Sequence, residues 1–150
     1  MRDAREMARL AASALDIHEE SVLVASTGVI GQPLPVDKIQ KALPSLVQSL
    51  SPDGFMMLAE AIMTTDTVPK LVSRKATLDG KVFTIVGTAK GAGMIAPNMA
   101  TMLCFITTDV GASADQLHHC LFTSVQQSFN RITIDGDTCL LYTSPSPRDS

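Results

Sequence analysis

The chain has 150 residues, of which 45% are hydrophobic, so it is long enough for one domain with a hydrophobic core. Its 12 basic and 15 acidic side chains give a net charge of -3 and form no Lys/Arg cluster, which argues against a nucleic-acid partner. The 3 cysteines show neither CxxC nor His-spaced patterns, so no disulfide framework or metal site is indicated. Without a secretory signal or an uninterrupted apolar span, a cytoplasmic protein that does not enter a membrane is expected.

The first half of the chain predicts mostly helical structure. Apolar residues recur at three- and four-residue steps near the N-terminus, and a Ser-Pro-Asp sequence is typical of a helix start. A short continuous apolar run predicts a strand covered on both faces. The predicted elements are a helix over Arg2 to Leu15, a strand over Val22 to Ala25, a helix from near Asp37 limited by Pro44, and a helix over Pro52 to Met63.

The second half predicts more strand. Two β-rich runs flank Asp79-Gly80, a dipeptide that favours a tight hairpin turn. The predicted elements are strands over Leu71 to Thr77, Lys81 to Thr88, Met102 to Thr107 and Arg131 to Asp135, and a helix over Ser113 to Ser128 with Ser113 as its N-cap. This order predicts a mixed α/β fold without internal repeats.

The C-terminal residues differ in character from the rest. Residues 139–150 contain the only tyrosine, and Cys139 to Asp149 resembles the conceptual translation of a sequencing-library adapter. We therefore interpret this segment as a non-native tail and exclude it from the fold prediction. A short disordered native tail is the alternative.

Two segments are candidates for chemistry. The apolar run at Val22 stops at Ser26-Thr27-Gly28, where backbone N–H groups could face an anionic oxygen, although an ordinary turn is favoured by the pattern alone. The second segment runs from Lys90 through a Gly-Ala-Gly sequence to Thr101. It matches neither a Walker phosphate loop nor a GxGxxG motif, and a Met-rich buried connector is its alternative interpretation.

Four blocks of sequence resemble one known family. Lys90-Gly-Ala-Gly-Met-Ile-Ala-Pro-Asn-Met-Ala-Thr-Met-Leu103 looks like the signature around the self-cleavage site of the bifunctional ornithine acetyltransferase / N-acetylglutamate synthase family. Residues 22–31, 61–70 and 128–138 are similar to further blocks of that family in the same order. The resemblance covers residues 1–138 and implies an incomplete mixed α/β sandwich of the self-processing, N-terminal-nucleophile-like acetyltransferase type.

The resemblance implies a catalytic threonine. Thr101 matches the family's nucleophile, and the Ala100–Thr101 bond matches its cleavage site, so residues 1–138 would span the end of a first chain and the start of a second. The positions of Thr27 and Gly28 match the family's oxyanion hole, and those of Thr64 and Lys90, with Thr101, its substrate-binding residues. Acetyl would pass from N-acetylornithine to Thr101 and then to glutamate in a ping-pong reaction that needs no cofactor or metal.

Family members form a heterotetramer of two first and two second chains and complete the pocket with residues from the second chain, so an isolated chain of this length is expected to be inactive. The resemblance leaves acetyl-CoA open as a co-substrate, and a relative that performs only one half of the cycle, using acetyl-CoA or only N-acetylornithine, is an alternative. Another is an N-terminal-nucleophile aminopeptidase or amidohydrolase, which passes the acyl group to water. The third alternative is a non-catalytic domain that binds a small molecule.

Several acidic and hydroxyl residues in the matched blocks have no assigned role. Thr65, Asp66 and Thr67 could order a loop or cap an element instead of contacting substrate. Asp135 and Asp137, on either side of Gly136, are expected to be turn or supporting residues and not catalytic ones.

Overall fold

The computed structural model of the chain describes residues 2–29, 31–96 and 102–136. The chain divides into two compact units, Met1–Pro52 and Asp53–Ser150. The described residues form a mixed α/β structure with four α-helices and a three-stranded antiparallel sheet, which agrees with the predicted class. None of the helices in the described ranges has the length and apolar character needed to cross a membrane.

The first unit is helical. Helix α1 spans Arg2–Leu15, as predicted, and buries Ala8, Leu10 and Ala12. A 3-10 turn at Glu19–Ser21 follows, and helix α2 spans Val36–Gln48 and packs against α1. The small side chains of Ala8 and Ala12 allow close approach between helices.

Two predictions for the first unit were wrong. Residues 22–25 form no strand, and Leu23 is 97% exposed, because no strand within the described residues pairs with this run. Helix α2 does not end at Pro44 but continues through it to Gln48. Pro44 lacks the N–H that would bond to the Gln40 carbonyl and crowds that carbonyl, but the helical ladder continues beyond it, where Ser49 N donates to Ser45 O over 3.0 Å.

The second unit begins with a short helix and a hairpin. Helix α3 spans Phe55–Ala61, shorter than the predicted Pro52 to Met63, because Gly54 and not Ser51 is the N-cap. Strands β1, Lys70–Leu78, and β2, Lys81–Lys90, pair antiparallel around the predicted turn. Asp79 and Gly80 both have positive φ, 50° and 74°, which fits the right-handed twist of a two-residue hairpin.

Strand β3, Leu103–Thr108, completes the sheet in the order β1-β2-β3. It pairs antiparallel with β2, with Lys90 opposite Leu103 and Ile85 opposite Thr108. The residues between β2 and β3 include the segment that carries the family signature. The sheet therefore holds both ends of that segment.

Helix α4 spans Ala114–Gln127 and has the predicted N-cap. Ser113 Oγ accepts a hydrogen bond from Gln116 N (3.3 Å), and the Gln116 side chain accepts one from Ser113 N (2.8 Å), which is a capping box. The strand predicted over residues 131–135 was wrong. A 3-10 turn occupies Phe129–Arg131, and only Ile134 forms a bridge, with Ile95, so no ladder develops.

Candidate functional site

The side chain of Asp66 is fully buried and joins three parts of the second unit. Its Oδ1 accepts a hydrogen bond from Gly91 N at 2.9 Å, just beyond the end of β2, and it also forms an ion pair with Lys70 Nζ at the start of β1. Its Oδ2 accepts a bond from Thr64 N at 3.3 Å. One carboxylate thus fixes the Thr64 loop relative to the backbone that follows Lys90.

These contacts stabilise the charged form of Asp66. The hydrogen bond from Lys70 is the largest cause, followed by the backbone bond from Gly91, and together they hold the pKa of the Asp66 carboxyl well below its usual range against the opposing effect of burial. The residue is therefore a fixed anion at physiological pH. It can accept hydrogen bonds but cannot serve as a general acid there.

Replacing Asp66 by asparagine should destabilise the chain in a pH-dependent way. Hydrogen bonds to a charged group contribute roughly 1.5–3 kcal/mol, so we expect a loss of about 2 kcal/mol at pH 7. Because the folded-state pKa is lowered, the stabilisation is complete above the unfolded pKa of about 3.9 and is lost as the pH falls from there towards the folded pKa. Urea unfolding of the 150-residue chain at several pH values measures the effect.

The matched control is Asp79→Asn, which removes the same charge from an exposed turn in the same unit. It should leave the free energy of unfolding nearly unchanged. A difference between wild type and Asp66→Asn that stays constant from pH 7 to about pH 2.5 would contradict the assignment, since a titrating carboxylate must lose its advantage in acid.

Two polar side chains are buried along the end of β2. Thr88 is 2% and Lys90 6% exposed, and their two-residue spacing places them on one face of the strand. Thr88 Oγ1 has no hydrogen-bond partner, and Lys90 makes no ion pair, within the ranges that the structure describes. Buried cations are normally paired, so this face of β2 is suited to receive an anionic group.

The segment after Lys90 folds back against residues 134–136. Met94 N donates to Asp135 Oδ2 at 3.1 Å, and the bridge between Ile95 and Ile134 has N–O distances of 3.2 and 2.8 Å. Met94 and Asp135 both have positive φ, 51° and 68°, which is uncommon for non-glycine residues. A Cβ added to Gly93 would lie 3.1 Å from Asp135 Oδ2, so glycine permits this close approach.

A mainly apolar cavity of about 250 Å³ lies in the second unit between β3 and α4, and Ile95 also lines it. Cys104 and Ile106 line it from β3, and Leu121 and Val125 from α4. Burial raises the pKa of the Cys104 thiol, so it is a poor candidate for a nucleophile. No group of three or more potential metal ligands occurs within residues 2–29, 31–96 and 102–136.

The predicted site residues fall in different parts of the chain. Ala100 and Thr101 lie outside the described residues. Thr27 and Gly28 are exposed in the first unit, and Thr64 and Lys90 belong to the second. Thr64 N and Gly91 N both donate hydrogen bonds to the Asp66 carboxylate, so the structure links Thr64 to the residue that follows Lys90.

The role of Asp66 in ordering its loop was one of the interpretations open from sequence. Its four-residue spacing to Lys70 was a usable signal, since the two side chains form an ion pair. The contact between Asp135 and Met94 had no comparable signal, because the two residues are 41 positions apart.

Comparisons with known proteins agree on one family. The model of the ArgJ family matches residues 1–140. Proteins named arginine biosynthesis bifunctional protein ArgJ from Symbiobacterium thermophilum and Thermotoga neapolitana are each 54% identical over 138 residues, which is 92% of this chain and 34% of each of those proteins. A relative from Meyerozyma guilliermondii, whose name adds "mitochondrial", is 48% identical over 139 residues, 91% of this chain and 32% of that protein.

The crystal structure of the ArgJ protein from Bacillus halodurans is similar with a TM-score of 0.58 and 40% sequence identity. The match covers 68% of this chain and 52% of that chain. This chain thus spans about a third of the length of the curated relatives that it matches.

Proposed function

Because the chain belongs to the ArgJ family, we propose that it is part of an acetyltransferase of arginine biosynthesis that transfers acetyl from N-acetylornithine to glutamate. The observation that carries this proposal is the family match over residues 1–140, together with relatives that are 54% identical. The complete protein would have the α/β sandwich of self-processing acetyltransferases, act in the cytoplasm and assemble as a heterotetramer of two first and two second chains. Acetyl-CoA would be an additional acetyl donor for glutamate.

In this proposal Thr101 first acts on its own backbone. Its hydroxyl oxygen attacks the carbonyl carbon of Ala100, and the acyl group moves from nitrogen to oxygen to give an ester. Water then hydrolyses this ester, which leaves a carboxylate on Ala100 and a free amine on Thr101. That amine, with an ordinary pKa of about 7.7–8.0, can serve as the general base that a threonine hydroxyl needs at neutral pH.

The cleaved enzyme would then use the same hydroxyl for transfer. Thr101 takes the acetyl group from N-acetylornithine, ornithine leaves with the proton, and the α-amine of glutamate attacks the acetyl-threonine ester to give N-acetylglutamate. Lys90 would bind the carboxylate of the amino-acid substrates. Its low exposure and its lack of an ion pair among the described residues support this role, because a substrate carboxylate would supply the missing counter-charge. Thr64 would bind substrate from the loop that Asp66 holds.

Thr27 and Gly28 would stabilise the oxyanion of the tetrahedral intermediates. Removing one such donor typically reduces kcat by about 100- to 1000-fold, so Thr27→Ala should lower kcat by that factor with a smaller change in KM. Steady-state transfer assays measure both constants. Ser26→Ala removes the neighbouring hydroxyl and is the matched control, with kcat expected near the wild-type value. Equal kcat values for the two variants would remove Thr27 from the mechanism.

The proposal is tested in a full-length chimera, in which the 138 matched residues of this chain replace their counterparts in the Symbiobacterium thermophilum protein. Intact mass should show two polypeptides, the second beginning at Thr101. With N-acetylornithine and glutamate, the chimera should produce N-acetylglutamate and ornithine. Release of acetate without N-acetylglutamate would indicate an amidohydrolase, and an unbroken polypeptide without transfer would reject the proposal.

A further inference from the structure

The residues around Asp135 connect two parts of the chain that the proposed cleavage would separate. Met94 and Ile95 precede the Ala100–Thr101 bond in the chain, and Ile134 and Asp135 follow it. The described structure nevertheless joins them through the Met94–Asp135 hydrogen bond and the Ile95–Ile134 bridge. Ile95 is 6% exposed and Ile134 is half-buried, whereas Met94 and Asp135 are exposed.

This arrangement fixes the backbone on the first-chain side of the bond. Gly91 N is held by the Asp66 carboxylate and Met94 N by the Asp135 carboxylate, with donor–acceptor distances of 2.9 and 3.1 Å. Met94 has a positive φ of 51°, a left-handed backbone conformation that is uncommon for a non-glycine residue. Self-cleavage requires a hydroxyl and a carbonyl to meet in a narrow geometry, and holding reacting groups in such a geometry lowers the barrier.

We propose that Asp135 is a positioning residue for self-cleavage, in which its carboxylate holds the Met94 amide and thereby orients the segment that leads to the scissile bond. The proposal rests on the proposed function above and adds a residue to it. In this role Asp135 acts through the Met94 amide and not on the reacting atoms. Its contribution is the acceptor Oδ2 and a backbone in the left-handed region that aims this oxygen at Met94.

Three substitutions of Asp135 distinguish the effect of its acceptor oxygen from the effect of its positive-φ backbone conformation. Asp135→Asn keeps an acceptor oxygen and tolerates positive φ, Asp135→Gly keeps only the conformation, and Asp135→Ala keeps neither. In the full-length chimera we expect cleavage of the asparagine variant within about threefold of wild type, and of the glycine variant about tenfold slower, in line with the loss of one charge-assisted hydrogen bond. The alanine variant should be slower still.

The measurement is the first-order rate at which the newly synthesised chimera is cut, followed by intact mass. Once cut, each variant should transfer acetyl with nearly the wild-type kcat and KM, because the anchor acts on cleavage. This split between cleavage rate and transfer constants is not expected of a merely destabilised protein.

Gly93→Ala tests the same contact without changing Asp135. The added Cβ would lie 3.1 Å from Asp135 Oδ2 and require the carboxylate to shift by a few tenths of an ångström, so the bond to Met94 N should lengthen and cleavage should slow in the wild-type background. In the Asp135→Gly background the same substitution should have almost no effect, because the two changes act on one contact. Additive effects of the two substitutions would overturn the proposal.

Failure of this proposal differs from failure of the proposed function. A wild-type chimera that is cut, beside an Asp135→Gly variant that is cut at the same rate, overturns the role of Asp135 alone. A wild-type chimera that is never cut overturns both.

Discussion

Substituting Thr101 by alanine is expected to leave the full-length chimera as a single uncut chain without measurable acetyl transfer. Alanine has no hydroxyl to attack the Ala100 carbonyl, so neither the free amine nor the acetyl-threonine ester can form. Loss of a nucleophile that acts in every step should reduce kcat by at least about 10,000-fold. Intact mass reports the cleavage, and a transfer assay with N-acetylornithine and glutamate reports the activity.

Two control variants test whether the loss of cleavage and transfer is due to the missing Thr101 hydroxyl. Thr101→Ser keeps a hydroxyl and should still be cut, though at a different rate. Thr77→Ala removes an exposed threonine of β1 in the same unit and should behave as wild type. An alanine variant at position 101 that is still cut, or that remains uncut yet transfers acetyl at the wild-type rate, would exclude the proposed mechanism.

Substituting Lys90 by methionine should have opposite effects on catalysis and stability. A methionine fills nearly the same space but cannot pair with a carboxylate, so KM for glutamate and N-acetylornithine should rise by about 100-fold, equivalent to a charged hydrogen bond of roughly 3 kcal/mol. Without substrate, removing an ammonium that is 6% exposed and has no ion pair within the described residues should stabilise the chain. We expect a gain of about 1 kcal/mol, or a Tm increase of about 3 °C.

The two effects are measured separately, by steady-state kinetics of the full-length chimera and by thermal unfolding of the 150-residue chain. Lys81→Met, at the exposed start of the same strand, is the matched control and should change neither quantity appreciably. A variant at position 90 with unchanged KM would remove Lys90 from substrate binding. A lower Tm would show instead that its ammonium stabilises the folded chain.

The elements that sequence predicted well are those fixed by local chemistry. The N-cap at Ser113, the turn at Asp79-Gly80 and the amphipathic pattern of α1 each depend on residues within a few positions of one another. Two of the errors concern strands that need a distant partner, whereas the errors at Pro44 and Ser51 concern the ends of helices. Residues 22–25 have strand composition but no pairing strand in the described structure, and only Ile134 of the predicted strand at 131–135 is bridged.

In the candidate site, too, the features that the sequence did not predict are contacts between residues far apart in the chain. The matched sequence blocks predict Lys90 and Thr64 in one pocket, but not the Asp66 carboxylate that connects the backbone of Thr64 to that of Gly91, next to Lys90. The bond from Gly91 to Asp66 spans 25 positions, and the bond from Met94 to Asp135 spans 41. Such contacts between a side chain and a remote backbone depend on the tertiary fold, and no local propensity encodes them.

The antiparallel pairing of β2 with β3 has a consequence for the proposed products. Strand β2 ends before the Ala100–Thr101 bond and β3 begins after it, so cleavage would divide the sheet between two polypeptides. The ladder from Ile85 to Lys90 would then become an intermolecular interface. The two products should therefore remain associated through native purification and separate only in denaturant, and a native size measurement alone would not reveal that the chain had been cut.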